Sequence, residues 1–164
     1  MTGSILVVAA IVTGAAGSLA VRTEAGERLQ LVHADEFSIV FMPEQHTTQG
    51  PPAMPVEVRS VTVFETPVRL GQVSEWDVRI SETRIDCQAG LIGDRRHKIF
   101  LGETPVDETV PPFRMQRPNG PEKAAILAHV CDPEQVPPGL VFDGIGAARV
   151  WASQAYAKLK SDAP

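Results

Sequence analysis

The chain has 164 residues, 43% of them hydrophobic and 21% charged, which is the size of a single domain that can bury a core of its own. Its formal net charge is −5, so the chain lacks the basic excess that is typical of nucleic-acid-binding proteins. Two cysteines are too few for a disulfide-rich miniprotein or a four-cysteine zinc site, and 13 glycines and 14 prolines predict frequent turns.

The amino-terminal stretch has no charged side chain before Arg22. Residues 5–12 form an apolar run, and the residues that follow it, 13–20, are mostly small. An apolar run followed by small residues is typical of a secretory signal peptide and its cleavage site. We therefore predict that residues 1–20 are a signal peptide, that the mature chain begins near Val21, and that the protein is periplasmic or secreted.

Two other interpretations of this stretch stay open, because no lysine or arginine precedes the apolar run as a signal peptide would have. The stretch could be a buried first strand of a cytosolic protein, or it could be a retained membrane anchor. Gly14 and Gly17 dilute a segment that is already short for a membrane span. We predict no stable membrane insertion.

Alternating and β-branched segments predict a series of strands through the first two thirds of the chain. A tight turn at residues 34–36 predicts a hairpin between the first two strands, and the polar, proline-rich residues 45–55 predict a loop. The predicted strands lie within residues 29–33, 37–42, 56–64, 73–88 and 95–101.

Two helices follow the strands. Pro121 suits the first turn of a helix over residues 122–130, and an apolar face predicts a last helix over residues 147–160. Strands first and helices last predict an α+β fold, with a single antiparallel β-sheet packed against one or two C-terminal helices. We divide the mature chain into an α+β domain, residues 21–135, and a proline/glycine linker with the C-terminal helix, residues 136–164.

The two cysteines lie at the ends of predicted elements, Cys87 after a strand and Cys131 at the end of the first helix. In an exported chain, an even pair of cysteines is most simply a disulfide, whereas in a cytosolic chain both would be free thiols. His129 and Cys131 are two residues apart on a helix and point to different faces. The other histidines are scattered, so we predict no metal and no cofactor.

One dense basic cluster stands out, made of Arg95, Arg96 and Lys98 around a histidine. It predicts a surface for an anion or an acidic partner, and the alternative is a strand whose charges simply face solvent. The sequence contains no serine-hydrolase elbow, no zinc-protease helix and no phosphate-binding glycine loop, so we predict a non-enzymatic protein.

The alternative function is a cytosolic nucleotide-binding or short-chain dehydrogenase-like enzyme fragment. Residues 12–17 contain a glycine turn after an apolar run, and Tyr156 and Lys160 have the spacing of that family's catalytic pair. A dinucleotide fingerprint needs a third glycine, and Ala20 stands in its place.

Residues 61–131 resemble the bacterial surface-adhesin protein E family. The resemblance lies in the strand around residues 59–63, in an acidic residue shortly before Cys87, in the basic run 95–98, and in a short helix that ends at Cys131.

The resemblance implies an antiparallel sheet packed on a helix with a disulfide, in a small exported protein of the Gram-negative envelope. It also implies an adhesin-like function, with a protein or cell-surface partner and the ability to form homodimers. The chain departs from the family pattern in lacking a lipobox cysteine near residues 18–21 and in carrying an additional C-terminal helix. We expect no nucleic-acid partner.

Overall fold

The computed structural model describes residues 27–44, 52–70, 74–134 and 139–161. The elements in these ranges are strands β1 (Arg28–Ala34), β2 (Ser38–Pro43), β3 (Val56–Leu70), β4 (Ser74–Asp86), β5 (Leu91–Leu101), β6 (Thr104–Thr109) and β7 (Val141–Asp143), and helices α1 (Pro121–Cys131) and α2 (Gly144–Ser161). The strands form one sheet in the order β6-β5-β4-β3-β2-β1-β7, and all the recorded pairings are antiparallel. The predicted α+β fold with a single antiparallel sheet is confirmed.

The turn between β1 and β2 is organised by Asp35. Its Oδ1 accepts hydrogen bonds from the backbone N–H groups of Phe37 (2.8 Å) and Ser38 (2.7 Å), and its own N–H donates to the carbonyl of Ser38. A short acidic side chain that binds the backbone two residues on is a common way to close a turn. The predicted hairpin is present, with each strand within one residue of its expected bounds.

One face of the sheet packs against α2. Apolar residues of the central strands, among them Val61 and Ile80, meet Ala148 and Ala152, all of them buried. Alanines let the helix approach the sheet closely, because they place only a methyl group between the two backbones. The hydroxyl of Tyr156 donates to the carbonyl of Val63 at 2.9 Å, and burial raises the pKa of that hydroxyl.

The opposite face packs against α1. Successive residues of β2 belong to different cores, with Phe41 on the α2 side and Met42 on the α1 side, because side chains alternate along a strand. On the α1 side, Ile126 and Val130 pack against Ile85 and other aliphatic side chains of β2 and β5. The two helices therefore cover opposite faces of the sheet.

The C-terminal part contributes to both the sheet and its core. Strand β7, which the sequence did not predict, pairs with β1, and α2 continues directly from it. Strand β6 was not predicted either and forms the opposite edge of the sheet. The predicted signal peptide, residues 1–20, and the glycine turn at residues 12–17 lie outside the described residues.

The dehydrogenase alternative requires parallel strands joined by crossover helices. The described strands pair antiparallel instead. Its second motif does not form a catalytic pair here, since Tyr156 is buried and bonded to Val63 while Lys160 forms an ion pair with Glu65 at 2.6 Å. The described sheet therefore does not have the architecture that a short-chain dehydrogenase requires.

Cys87 and Cys131 are joined in a disulfide, with 5.3 Å between their Cα atoms. The predicted pair is confirmed. The bond attaches the last residue of α1 to the turn after β4, so the helix is fixed at its C-terminal end both by this bond and by the packing of Val130. Within the described ranges, no helix is long and apolar enough to cross a membrane.

Replacing both Cys87 and Cys131 with serine should lower the free energy of unfolding by about 4 kcal/mol, the chain-entropy value for two cysteines separated by 44 residues. Urea unfolding with and without a reductant measures this difference. The reductant should destabilise the native chain to the same extent and leave the double variant unchanged. A difference below about 1 kcal/mol would contradict the structural role of the bond.

Candidate functional site

Hydroxyl side chains cover the centre of the sheet on its α1 face. They are Ser60 and Thr62 of β3 and Ser81 and Thr83 of β4, and each is at most 4% exposed. These positions alternate with the valines and isoleucines that face α2, so one pair of strands presents an apolar surface to one helix and a polar surface to the other. Buried sheet positions under a helix are usually apolar, so this hydroxyl floor is unusual.

A cavity of about 330 Å³ lies between this floor and the first turn of α1. Gly120 precedes the helix with a φ of 138°, a conformation that favours glycine, and it has no side chain with which to cap the helix. Because the first turn of α1 lines the cavity, the positive end of the helix dipole faces it. The lining includes Asp35, Ser38, Ser60, Arg79, Ser81, Thr83, Asp94, Asn119, Glu122, Lys123 and Ile126.

Two ion pairs connect α1 to the sheet beside the cavity. Arg79 of β4 donates to the carboxylate of Glu122, which also accepts a hydrogen bond from Thr62 at 3.2 Å. Lys123 donates to Oδ2 of Asp94 on β5 at 2.7 Å. The pairs have opposite orientations, because the helix supplies the anion to one and the cation to the other. The charges that these pairs bring to the walls thus compensate each other.

Two buried polar atoms beside the cavity have no hydrogen-bond partner among the described residues. They are Oγ of Ser60, a residue with 0% exposure, and Nε of Arg79. A buried polar group without a partner costs about 1–3 kcal/mol, and such groups are rare in native proteins. Both residues line the same cavity, so a polar group bound against this wall is a candidate partner for them.

Ser81 of the floor is paired with His97, which does not itself line the cavity. The Ser81 hydroxyl lies 3.0 Å from Nδ1 of His97, and burial is the main reason that the pKa of this histidine is lowered, so the ring is neutral at pH 7. Asp94 lies 3.8 Å from Nε2, which is too long for a hydrogen bond, and its carboxylate already binds Lys123. Among the described residues, this serine–histidine pair therefore lacks the hydrogen-bonded carboxylate of a catalytic triad.

The predicted basic cluster lies outside this cavity. Carboxylate oxygens approach Arg95 (3.1 Å, Glu57), Arg96 (3.3 Å, Glu108) and Lys98 (4.0 Å, Glu108). An anionic partner would have to compete with these carboxylates for the three cations. A role of the cluster in binding anions or partners stays a prediction.

The sequence analysis missed the cavity, although the pattern contains a signal for it. Ser60, Thr62, Ser81 and Thr83 fall on the same side of two strands that pair directly, Ser60 opposite Ser81. Polar residues at alternate positions ordinarily predict a solvent-facing side of a sheet. Only the position of α1 shows that this polar side is covered.

Stability should decrease as the pH falls below about 6.5, because burial lowers the pKa values of His97 and His129 in the folded state. The unfolded chain then binds protons that the folded chain does not, at a cost of at most about 1.4 kcal/mol per pH unit for each histidine. Urea unfolding between pH 5 and pH 8 measures the slope. The His129→Gln variant should keep only the part of this pH slope that is due to His97. An unchanged slope would contradict the contribution of His129.

No family model, no curated protein and no solved structure matches this chain.

Proposed function

We propose that this protein is a non-enzymatic, exported binding protein of the bacterial envelope, and that the cavity beneath α1 holds a small polar group of its protein or cell-surface partner. The observation that carries the proposal is the buried Ser60 hydroxyl, which lines the cavity and has no partner among the described residues. A protein retains such a destabilising group most readily where a ligand uses it.

The geometry of the walls suits binding. The cavity volume, about 330 Å³, is at the lower end of the range for small-molecule sites. Strands β3, β4 and β5 fix the floor, and the disulfide and the two ion pairs fix the helix above it. A site whose polar groups are already held in place loses little side-chain entropy when it binds.

Two observations support the proposed compartment. A disulfide persists in oxidising compartments and is rare in the cytosol, so the Cys87–Cys131 bond is compatible with export. The apolar run followed by small residues at the start of the sequence is typical of a signal peptide. The resemblance to surface-adhesin protein E supports an envelope partner, and a homodimer is part of that resemblance.

Expression of the full chain in a Gram-negative host should yield a periplasmic or secreted protein that begins near Val21. Its mass should be lower than that of the full chain by the mass of residues 1–20. It should be lower by the mass of two further hydrogen atoms because Cys87 and Cys131 are oxidised. Mass spectrometry of the purified protein, before and after reduction, measures both changes. An unprocessed chain with two free thiols would contradict export.

The mature chain should bind at least one member of a panel of amino acids, organic acids, nucleosides and monosaccharides, with amide NMR shifts at Ser60, Ser81 and Lys123. The Ser60→Ala variant should weaken that binding about tenfold, as loss of one hydrogen bond of about 1.4 kcal/mol would. Because the Ser60 hydroxyl has no partner among the described residues, this variant should be at least as stable as the native chain. NMR titration and urea unfolding measure the two effects.

The matched control is Ser153→Ala, which removes the same hydroxyl from an exposed position on α2. It should leave every binding constant unchanged. The proposed function would be wrong if no member of the panel shifted the signals of the cavity residues, or if both alanine variants bound as the native chain does.

A further inference from the structure

We infer that the cavity binds a neutral polyhydroxylated group, the size of one sugar ring. This inference deepens the proposed function and rests on it, since it names the chemical class that the cavity beneath α1 accepts. It follows from the charges of the walls, from the hydrogen-bonding capacity that they leave open, and from the volume.

Two ion pairs occupy the charged groups of the cavity wall. Arg79 and Lys123 each bind a carboxylate of the cavity wall, from Glu122 and Asp94, and Asp35 adds a third carboxylate. An anionic ligand would meet three carboxylates. A cationic ligand would meet two side-chain cations and the positive end of α1. Either ligand would compete with an existing ion pair for its charged groups, whereas a neutral ligand leaves both pairs in place.

The residues that line the cavity carry both donors and acceptors for hydrogen bonds. Ser60 Oγ and Arg79 Nε are buried and have no partner among the described residues, and each can donate to a ligand oxygen. The carboxylates of Asp94 and Glu122 accept hydrogen bonds from within the protein, and each has lone pairs left for a ligand. Hydroxyl groups both donate and accept, so a polyol satisfies both kinds of group. An apolar ligand would leave the buried hydroxyl unpartnered.

A volume of about 330 Å³ accommodates a single sugar ring with its hydroxyls, and it is small for a nucleotide or a folded peptide segment. Together with Ser60 on β3, the hydroxyls of Ser38 on β2 and of Ser81 and Thr83 on β4 spread the polar floor across three strands. Groups spread in this way match a ring that carries hydroxyls around its edge, more than a ligand with one polar end.

Three pyranoses that differ in charge test this inference: glucose, glucuronate and glucosamine. The mature chain is titrated with each of them. Galactose, mannose and N-acetylglucosamine are added as further neutral sugars, because the charges of the cavity wall do not select the stereochemistry of the ligand. At least one neutral sugar should shift the amide signals of Ser60, Ser81 and Lys123. Its Kd should be at least tenfold lower than those of glucuronate and glucosamine.

A charge variant makes the test sharper. Glu122→Gln removes one carboxylate from the wall, so it should improve the binding of glucuronate relative to that of the neutral sugar by about tenfold. Ser153→Ala is the control, and it should change neither the Kd of glucuronate nor that of the neutral sugar. Urea unfolding of each variant shows whether it is folded.

The outcomes separate the inference from the proposed function. Binding of glucuronate or glucosamine in the cavity as tightly as any neutral sugar would overturn the inference and leave the cavity as a binding site. Binding of an amino acid, organic acid or nucleoside in the cavity, when no neutral sugar binds there, would have the same two consequences. No cavity signal shifted by any of these compounds would overturn both.

Discussion

Strands β3 and β4 pair along the middle of the sheet, and the faces that this pairing presents determine what each helix can pack against. Because side chains alternate along both strands, their register gives the centre of the sheet an apolar face and a hydroxyl face at once. The apolar face accounts for α2, whose alanines Ala148 and Ala152 pack directly on it. On the opposite face, α1 packs on the aliphatic side chains around Ile85, and its first turn covers the central hydroxyls without filling the space above them.

Helix α1 is held differently at its two ends, and this difference preserves the cavity. Its C-terminal half packs through Ile126 and Val130, and Cys131 joins it covalently to the turn after β4. Its N-terminal turn is held by ion pairs from Glu122 and Lys123 to the sheet. Most of the packing energy thus lies away from the polar groups, and the hydrogen-bonding capacity near the N-terminal turn stays available for a ligand.

In the proposed function, the buried Ser60 hydroxyl links stability to binding. It has no partner in the part of the chain that the structure describes, so it lowers the stability of the fold, and an alanine at the same position would remove that cost. Groups that destabilise a fold without local compensation are concentrated at binding sites, where the ligand compensates them. The paired charges at Arg79 and Lys123 limit which ligand can do so, since a charged molecule would have to compete with Glu122 or Asp94.

Most of the local structure follows from patterns in the sequence: the hairpin closed by Asp35, the strands with β-branched alternation, and the helix begun by Pro121. Each of these patterns involves residues that lie near one another in the chain. The sequence by itself did not determine β6 and β7, which are short and depend on pairing with β5 and β1. Nor did it determine the cavity, because polar alternation in a strand is the same pattern whether the polar side meets water or lies beneath a helix. Only the tertiary position of α1, fixed by the disulfide and by packing, decided that the hydroxyls of β3 and β4 are buried.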